Sequence, residues 1–176
     1  MRKLRIGKRV MIFAASAVLI ATILPGCSKQ PTAPAKTDSP MVLKRNLEYP
    51  VIAMDSIYTE ATISAASGGT LSLMDIQVSI PPGALEQDTL ISIFIPDLNV
   101  FENHFGTDGL FFNQPVRVRM DYRDADLSGI KELTIKMAWY NEHTASWDII
   151  PCTLNVINKT VTAYVSHFSA YALISD

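Results

Sequence analysis

Val116-Arg117-Val118-Arg119-Met120 alternates apolar and charged side chains. Successive side chains on a β-strand point to opposite faces, so this stretch has one dry face of Val116, Val118 and Met120 and one wet face of arginines. The same period of two recurs on either side of it. Upstream, candidate strands are Ile57 to Ser64, Thr70 to Leu73, Ile76 to Ile80 and Thr89 to Ile95; downstream they are Leu133 to Tyr140, Ser146 to Ile150, Leu154 to Ile157, Thr160 to Val165 and Ala170 to Ile174. Between them lie turn formers: Gly68-Gly69, Pro81-Pro82-Gly83, Pro96-Asp97, Asp108-Gly109, Ser128-Gly129 and Asn158-Lys159. From Asp55 onward no apolar stripe of helical period exceeds two turns. Short runs at this spacing predict an all-β fold, an antiparallel β-sandwich, rather than a parallel α/β sheet. Met41 to Ala53 is apolar but interrupted by Pro50, and reads as an edge strand or a lead-in.

The first forty residues have a different composition. Arg2, Lys3, Arg5, Lys8 and Arg9 precede an apolar run from Val10 to Leu24, broken only by Ser16 and Thr22. That order is a secretory signal. As a helix, the run spans roughly 22 Å, short of the ~30 Å of a hydrocarbon core. Ser28 to Pro40, SKQPTAPAKTDSP, has three prolines and no aromatic residue, so it reads as a tether reaching up to roughly 40 Å at ~3.1 Å per residue. The chain thus divides into a signal segment (1–26), Cys27 with a flexible tether (27–40), and one β-sandwich domain (41–176).

Charge follows the same division. The leader holds five of the fifteen Lys and Arg residues and no acid, which leaves ten cations against seventeen Asp and Glu in the remainder. From Asn46 to Val116 there is no Lys or Arg. Nucleic acid, whose phosphates need clustered cations, is excluded as a partner class.

Leu24-Pro25-Gly26-Cys27 resembles the lipobox of bacterial lipoproteins, with Pro25 where that family usually has a small or β-branched residue. The resemblance implies that the Cys27 thiol takes a diacylglycerol, that the leader is cut before it, and that the mature chain is anchored to a membrane outside the cytoplasm. The alternative is an ordinary cysteine behind an uncleaved signal anchor. More than one acyl chain is needed for stable anchoring, and lipoproteins of this type carry two or three. Ser28 after the cysteine resembles lipoproteins sent to the outer membrane, where the cell has one. With Cys27 acylated, Cys152 lacks an intramolecular partner and is expected to be a small buried hydrophobe.

Ser67-Gly68-Gly69-Thr70-Leu71 followed by Val78-Ser79-Ile80-Pro81-Pro82-Gly83-Ala84-Leu85 resembles the opening of a ZU5 domain, a β-sandwich module of ankyrins, netrin receptors and bacterial surface proteins. Phe112-Asn113-Gln114-Pro115-Val116, Trp139, Trp147 and the closing His167-Phe168-Ser169-Ala170-Tyr171-Ala172 are similar to bacterial examples of that group. The resemblance runs from about Tyr58 to Ile174. Physics accounts for the IPPGAL element separately: two prolines end the strand at Ile80, and Gly83 supplies a positive φ.

Some ZU5 domains cut themselves at a His-Phe-Ser tripeptide. Carried onto this chain, Ser169 is the nucleophile, Phe168 the acyl donor, and His167 the general base and acid. Val161, Ala163 and Val165 keep one face, and Phe168, Ala170, Ala172 and Ile174 are expected inward on the opposite parity. The change of phase between Val165 and Phe168 predicts a bulge or kink. The competing reading makes Phe168 and Tyr171 packing residues, with His167 and Ser169 merely polar at the bulge.

His104, His143 and His167 lack the close spacing of zinc ligands. Asp121, Asp124 and Asp126 lie in a stretch without the glycine and terminal glutamate of an EF-hand loop, and read as a solvated turn. Neither a metal nor a cofactor is expected. No nucleophile elbow or phosphate-binding glycine loop is present, so substrate turnover has no visible machinery. Leu110-Phe111-Phe112 reads as core or as a partner-binding loop. The expectation is a non-enzymatic, lipid-anchored module of the cell envelope with a structural role or a protein or glycan ligand; the alternative is a domain that cleaves itself once between Phe168 and Ser169.

Overall fold

The computed structural model describes residues 40–46 and 56–175. The leader, Cys27 and the tether up to residue 39 lie outside the described residues, as do residues 47–53 of the Met41–Ala53 lead-in. Among the described residues twelve strands run in chain order: β1 (Met41–Val42), β2 (Ile57–Ile63), β3 (Gly69–Leu73), β4 (Ile76–Ile80), β5 (Thr89–Ile95), β6 (Glu102–Gly106), β7 (Phe111–Asp121), β8 (Lys136–Asn141), β9 (Ser146–Ile149), β10 (Cys152–Asn155), β11 (Thr160–His167) and β12 (Ala170–Ser175). They form two antiparallel sheets, ordered β2-β5-β6-β12-β8-β9 with β1 beside β12, and β10-β11-β7-β4-β3. The all-β sandwich read from the alternation is the observed fold.

The dry face of β7 is where the sequence puts it. Val116, Val118 and Met120 are fully buried, registered against Val161, Ala163 and Val165 of β11 on one side and Ile76 and Val78 of β4 on the other. Across the interior they meet Ile91, Ile93 and Ile95 of β5, Phe105 of β6, Met137 of β8 and Tyr171 and Leu173 of β12 in one core. Each fully buried side chain of this size contributes ~1.5–3 kcal/mol relative to exposure. Arg117 and Arg119 face away, and Arg117 reaches Ser79 Oγ at 3.1 Å.

IPPGAL is a turn that also plugs one end of the core. Gly83 has φ +77°, and its N–H donates to the Ala65 carbonyl at 2.8 Å. Ala84 and Leu85 are then carried inward, 0% and 4% exposed, and the Ala84 carbonyl accepts from Asn113 N–H at 2.9 Å. Gly68 has φ +68°, and a Cβ there would collide with the Ile80 carbonyl. Both Gly68 and the glycine after the prolines are therefore fixed by backbone geometry.

Four sequence expectations need correction. The strand expected from Val116 to Tyr122 runs from Phe111 to Asp121, passing through Pro115 opposite a register shift in β11. The strand expected from Leu133 begins at Lys136, with Glu132–Thr134 forming a 3-10 turn. A strand was missing altogether, β6: Glu102, Asn103 and His104 look like loop residues, yet Asn103 is fully buried and pairs with Tyr171. Cys152 is half-buried against the core rather than enclosed, and its Sγ accepts Met137 N–H at 3.3 Å.

Candidate functional site

His167-Phe168-Ser169 is where the chain changes sheets. β11 belongs to the smaller sheet and β12 to the larger, and Phe168 and Ser169 are the whole connection between them. A strand that turns a corner of a sandwich does so through a bulge or bend. The register slips between Val165, opposite Val116, and His167, opposite Phe111. The expected irregularity is present, but its extra residues sit on β7, where Pro115 has no N–H to give to a ladder.

Parity beyond the corner differs from the expectation. Phe168 is inward, but Tyr171 and Leu173, not Ala170, Ala172 and Ile174, face the interior core. Ala172 and Ile174 lie on the other face of β12, in a separate small cluster with Ala138, against which Val42 and Trp147 pack. The inward positions are odd-numbered on both β11 and β12, so Phe168 alone is out of phase: it points inward from the two-residue crossover between the sheets and does not set the parity of β12.

Phe168 is a plug. Its ring is 5.4 Å from Phe105 and 4.7 Å edge-on from Phe112, with no exposed surface. The backbone around it is held by β6 and the segment after it. Phe168 N–H donates to the Leu110 carbonyl at 3.0 Å, Gly109 N–H donates to the Phe168 carbonyl at 3.3 Å, and Phe105 N–H donates to the Ser169 carbonyl at 3.2 Å. Tyr171 Oη donates to the His167 carbonyl at 2.8 Å, and burial raises its phenol above the ordinary range.

His167 packs as an aromatic ring, 5.0 Å edge-on from Trp139 and 5.6 Å from Phe111. Its Nδ1 lies 3.5 Å from Ser166 Oγ. Among the described residues no hydrogen bond joins the imidazole to Ser169 Oγ. The tripeptide therefore has one feature of an acyl-transfer centre, a backbone N–H on the carbonyl that would be attacked, and lacks a resting base–nucleophile contact. Such contacts often tighten only on the reaction path.

Ser169 opens instead onto a groove that the sequence reading did not anticipate. It lies on the outward face of the larger sheet, encloses about 650 Å³, and has Ser92, Gly106, Ser169 and Ala170 as small residues among taller aromatic side chains. Tyr58 (β2), Phe94 (β5), His104 (β6), Tyr140 (β8) and Trp147 (β9) come from five strands. Tyr140 and Trp147 pair at 5.3 Å, interplanar 66°; Phe94 and His104 sit edge to face at 6.0 Å. Among the described residues, Glu102, Asp108 and Glu142 are the lining acids and no Lys or Arg lines the groove. His104 Nε2 is 2.8 Å from Glu102 Oε1. Tyr58 hydrogen-bonds the Glu60 carboxylate, which raises its phenol above the usual value. The sequence signal was an aromatic residue at outward parity on strands already apolar inward, as in Ile93-Phe94-Ile95.

The remaining expected sites separate. His104, His143 and His167 lie on β6, in the β8–β9 turn and on β11. Asp121 is engaged by Arg123 at 2.6 Å, and Asp126 Oδ1 caps a turn by accepting Ser128 N–H at 3.0 Å. The Leu110-Phe111-Phe112 run divides: Leu110 and Phe112 pack on the core, while Phe111 is 73% exposed beside His167. Neither the models of known protein families nor the curated proteins compared with this chain match it.

Proposed function

We propose that this chain is a lipid-anchored module of the bacterial cell envelope, held through Cys27 and presenting a ZU5-like β-sandwich that binds a protein or glycan through the groove on its larger sheet. The groove carries the reading: an open trough of about 650 Å³, in the ~300–1,000 Å³ range of ligand sites, with apolar walls and a few convergent polar groups. The tether and anchor rest on the basic-apolar-cysteine order of the leader. A domain of this kind needs no catalytic cluster, and its place outside the cytoplasm, on the outer membrane where there is one, follows from the lipid.

A second reading is favoured by the Gly109 N–H on the Phe168 carbonyl: the domain cleaves itself once. Ser169 Oγ would attack the Phe168 carbonyl carbon, the Phe168–Ser169 C–N bond would break with its nitrogen protonated, and water would hydrolyse the resulting ester to a Phe168 carboxylate and a free Ser169 amine. Gly109 N–H would stabilise the oxyanion. One measurement addresses both readings: intact mass of the full chain expressed with its own leader in an exporting bacterial host and extracted into detergent. We expect a chain starting at an acylated Cys27, and an unprocessed leader in Cys27→Ala. An unmodified Cys27 sinks the anchored module. A separate Ser169–Asp176 fragment that disappears in Ser169→Ala establishes self-cleavage, whereas a C-terminus intact at Asp176 excludes it.

A further inference from the structure

We infer that the groove on the larger sheet is a binding site for an uncharged polysaccharide chain, a deepening that rests on the binding-module reading above. Three observations carry it. The first is the distribution of ring faces. Tyr58, Phe94, Tyr140 and Trp147 are contributed by four strands, and amphipathic aromatic residues at a partly wet site offer flat apolar area at low entropic cost. A pyranose ring has matching C–H faces and hydroxyl edges.

The second is the kind of polar group. Glu102, Asp108 and Glu142 are acceptors only when ionised, two oxygens each, and suit the O–H donors of a sugar. The third is charge. With three carboxylates and no Lys or Arg among the described residues of its lining, the groove repels phosphorylated, sulfated and uronate chains. Glu102 already has the His104 imidazole 2.8 Å away, and its remaining lone pairs are left to accept hydroxyls. The floor of Gly106, Ser92 and Ala170 lets a chain lie low between the rings, and a Cβ at Gly106 would collide with Ser92 Oγ.

The test is affinity electrophoresis of the full chain, expressed from its own leader and purified in detergent. The gels contain a soluble neutral polysaccharide (a β-glucan, a xylan or a galactomannan), polygalacturonate, or no polymer. Expected is at least a twofold loss of mobility in one or more neutral gels, none in polygalacturonate, abolished by Trp147→Ala and reduced by Glu142→Gln. Tyr164→Ala, on the smaller sheet, keeps full retardation. Trp147→Ala is scored only if its thermal unfolding matches the parent; Tyr58→Ala, at a half-exposed site, is the substitute if it does not. Equal retardation of the groove variants, retardation by polygalacturonate alone, or none in any neutral gel overturns the proposal. A chain with acylated Cys27 that ignores every neutral polymer leaves the anchored module standing and removes only its ligand, so the two failures are distinguishable.

Discussion

Arg45 brings a full charge into the protein with its side chain 1% exposed. Its Nε and Nη2 donate to the Asp75 carboxylate at 2.9–3.1 Å, Nη1 donates to the Val100 carbonyl, and the guanidinium lies 4.2 Å over the Phe101 ring. These bonds fix the segment after β1 against the loop before β6. Burial nonetheless holds the Asp75 carboxyl above its ordinary range, outweighing the pull of Arg45. A buried pair adds little over an apolar replacement, but removing one partner strands the other. Arg45→Met is therefore expected to lose about 3–5 kcal/mol at pH 7, and Arg45→Met with Asp75→Leu to recover most of it, read by urea unfolding. In the single variant the stranded Asp75 rises further in the folded state, which then binds a proton the unfolded chain does not. Its deficit should shrink as pH falls through that folded value, and a deficit that grows toward acid would show that Asp75 does not remain buried.

At the scale of elements, the corner from β11 to β12 depends on one phenol. Tyr171 Oη ties the first turn of β12 to the His167 carbonyl at the end of β11, so Tyr171→Phe should cost about 0.5–1.5 kcal/mol. Because burial raises this phenol, its stabilisation is complete below the unfolded value near ~10 and is lost as pH rises beyond it. Tyr171→Phe should accordingly flatten part of the alkaline fall in thermal stability; an unchanged slope above pH ~10 would mean that Tyr171 does not drive it. This corner was partly legible. The change of phase between Val165 and Phe168 announced an irregularity, because period-two alternation cannot change face by itself. It could not announce that the strand enters the other sheet, so Ala172 and Ile174 were assigned the wrong face. β6 is illegible for a related reason: Asn103 occupies an inward position, and its Oδ1 has no partner among the described residues while Nδ2 meets Met120 Sδ at 3.4 Å. A polar residue in a core slot erases the alternation that marks a strand. The groove was hidden more completely, since its rings are spread from Tyr58 to Trp147 and meet only once the sheet order β2-β5-β6-β12-β8-β9 brings them together.

For the whole molecule, that order makes the last strand the structural centre of the larger sheet. β12 pairs with β8 along one edge, and with β6 and then β1 along the other, and Tyr171 to Ser175 are all buried. A sheet whose middle strand, β12, comes after both its neighbours in sequence cannot be completed until β12 is present. Its contacts are also mostly distant in sequence, so loop closure precedes most of the favourable contacts in folding. Deleting Ser169–Asp176 should then do more than trim an end: it splits the larger sheet into β2-β5-β6 and β8-β9 and leaves Phe101, Phe105 and Met137 without their neighbours. The truncated chain is expected to lose cooperative thermal unfolding, whereas a chain cut after Phe168 with its eight-residue fragment retained should keep it, because all three ladders and the buried side chains of β12 survive the cut. Circular dichroism melts of the two forms decide the matter. A cooperative transition in the truncated chain would mean that the two halves of the larger sheet stand without β12.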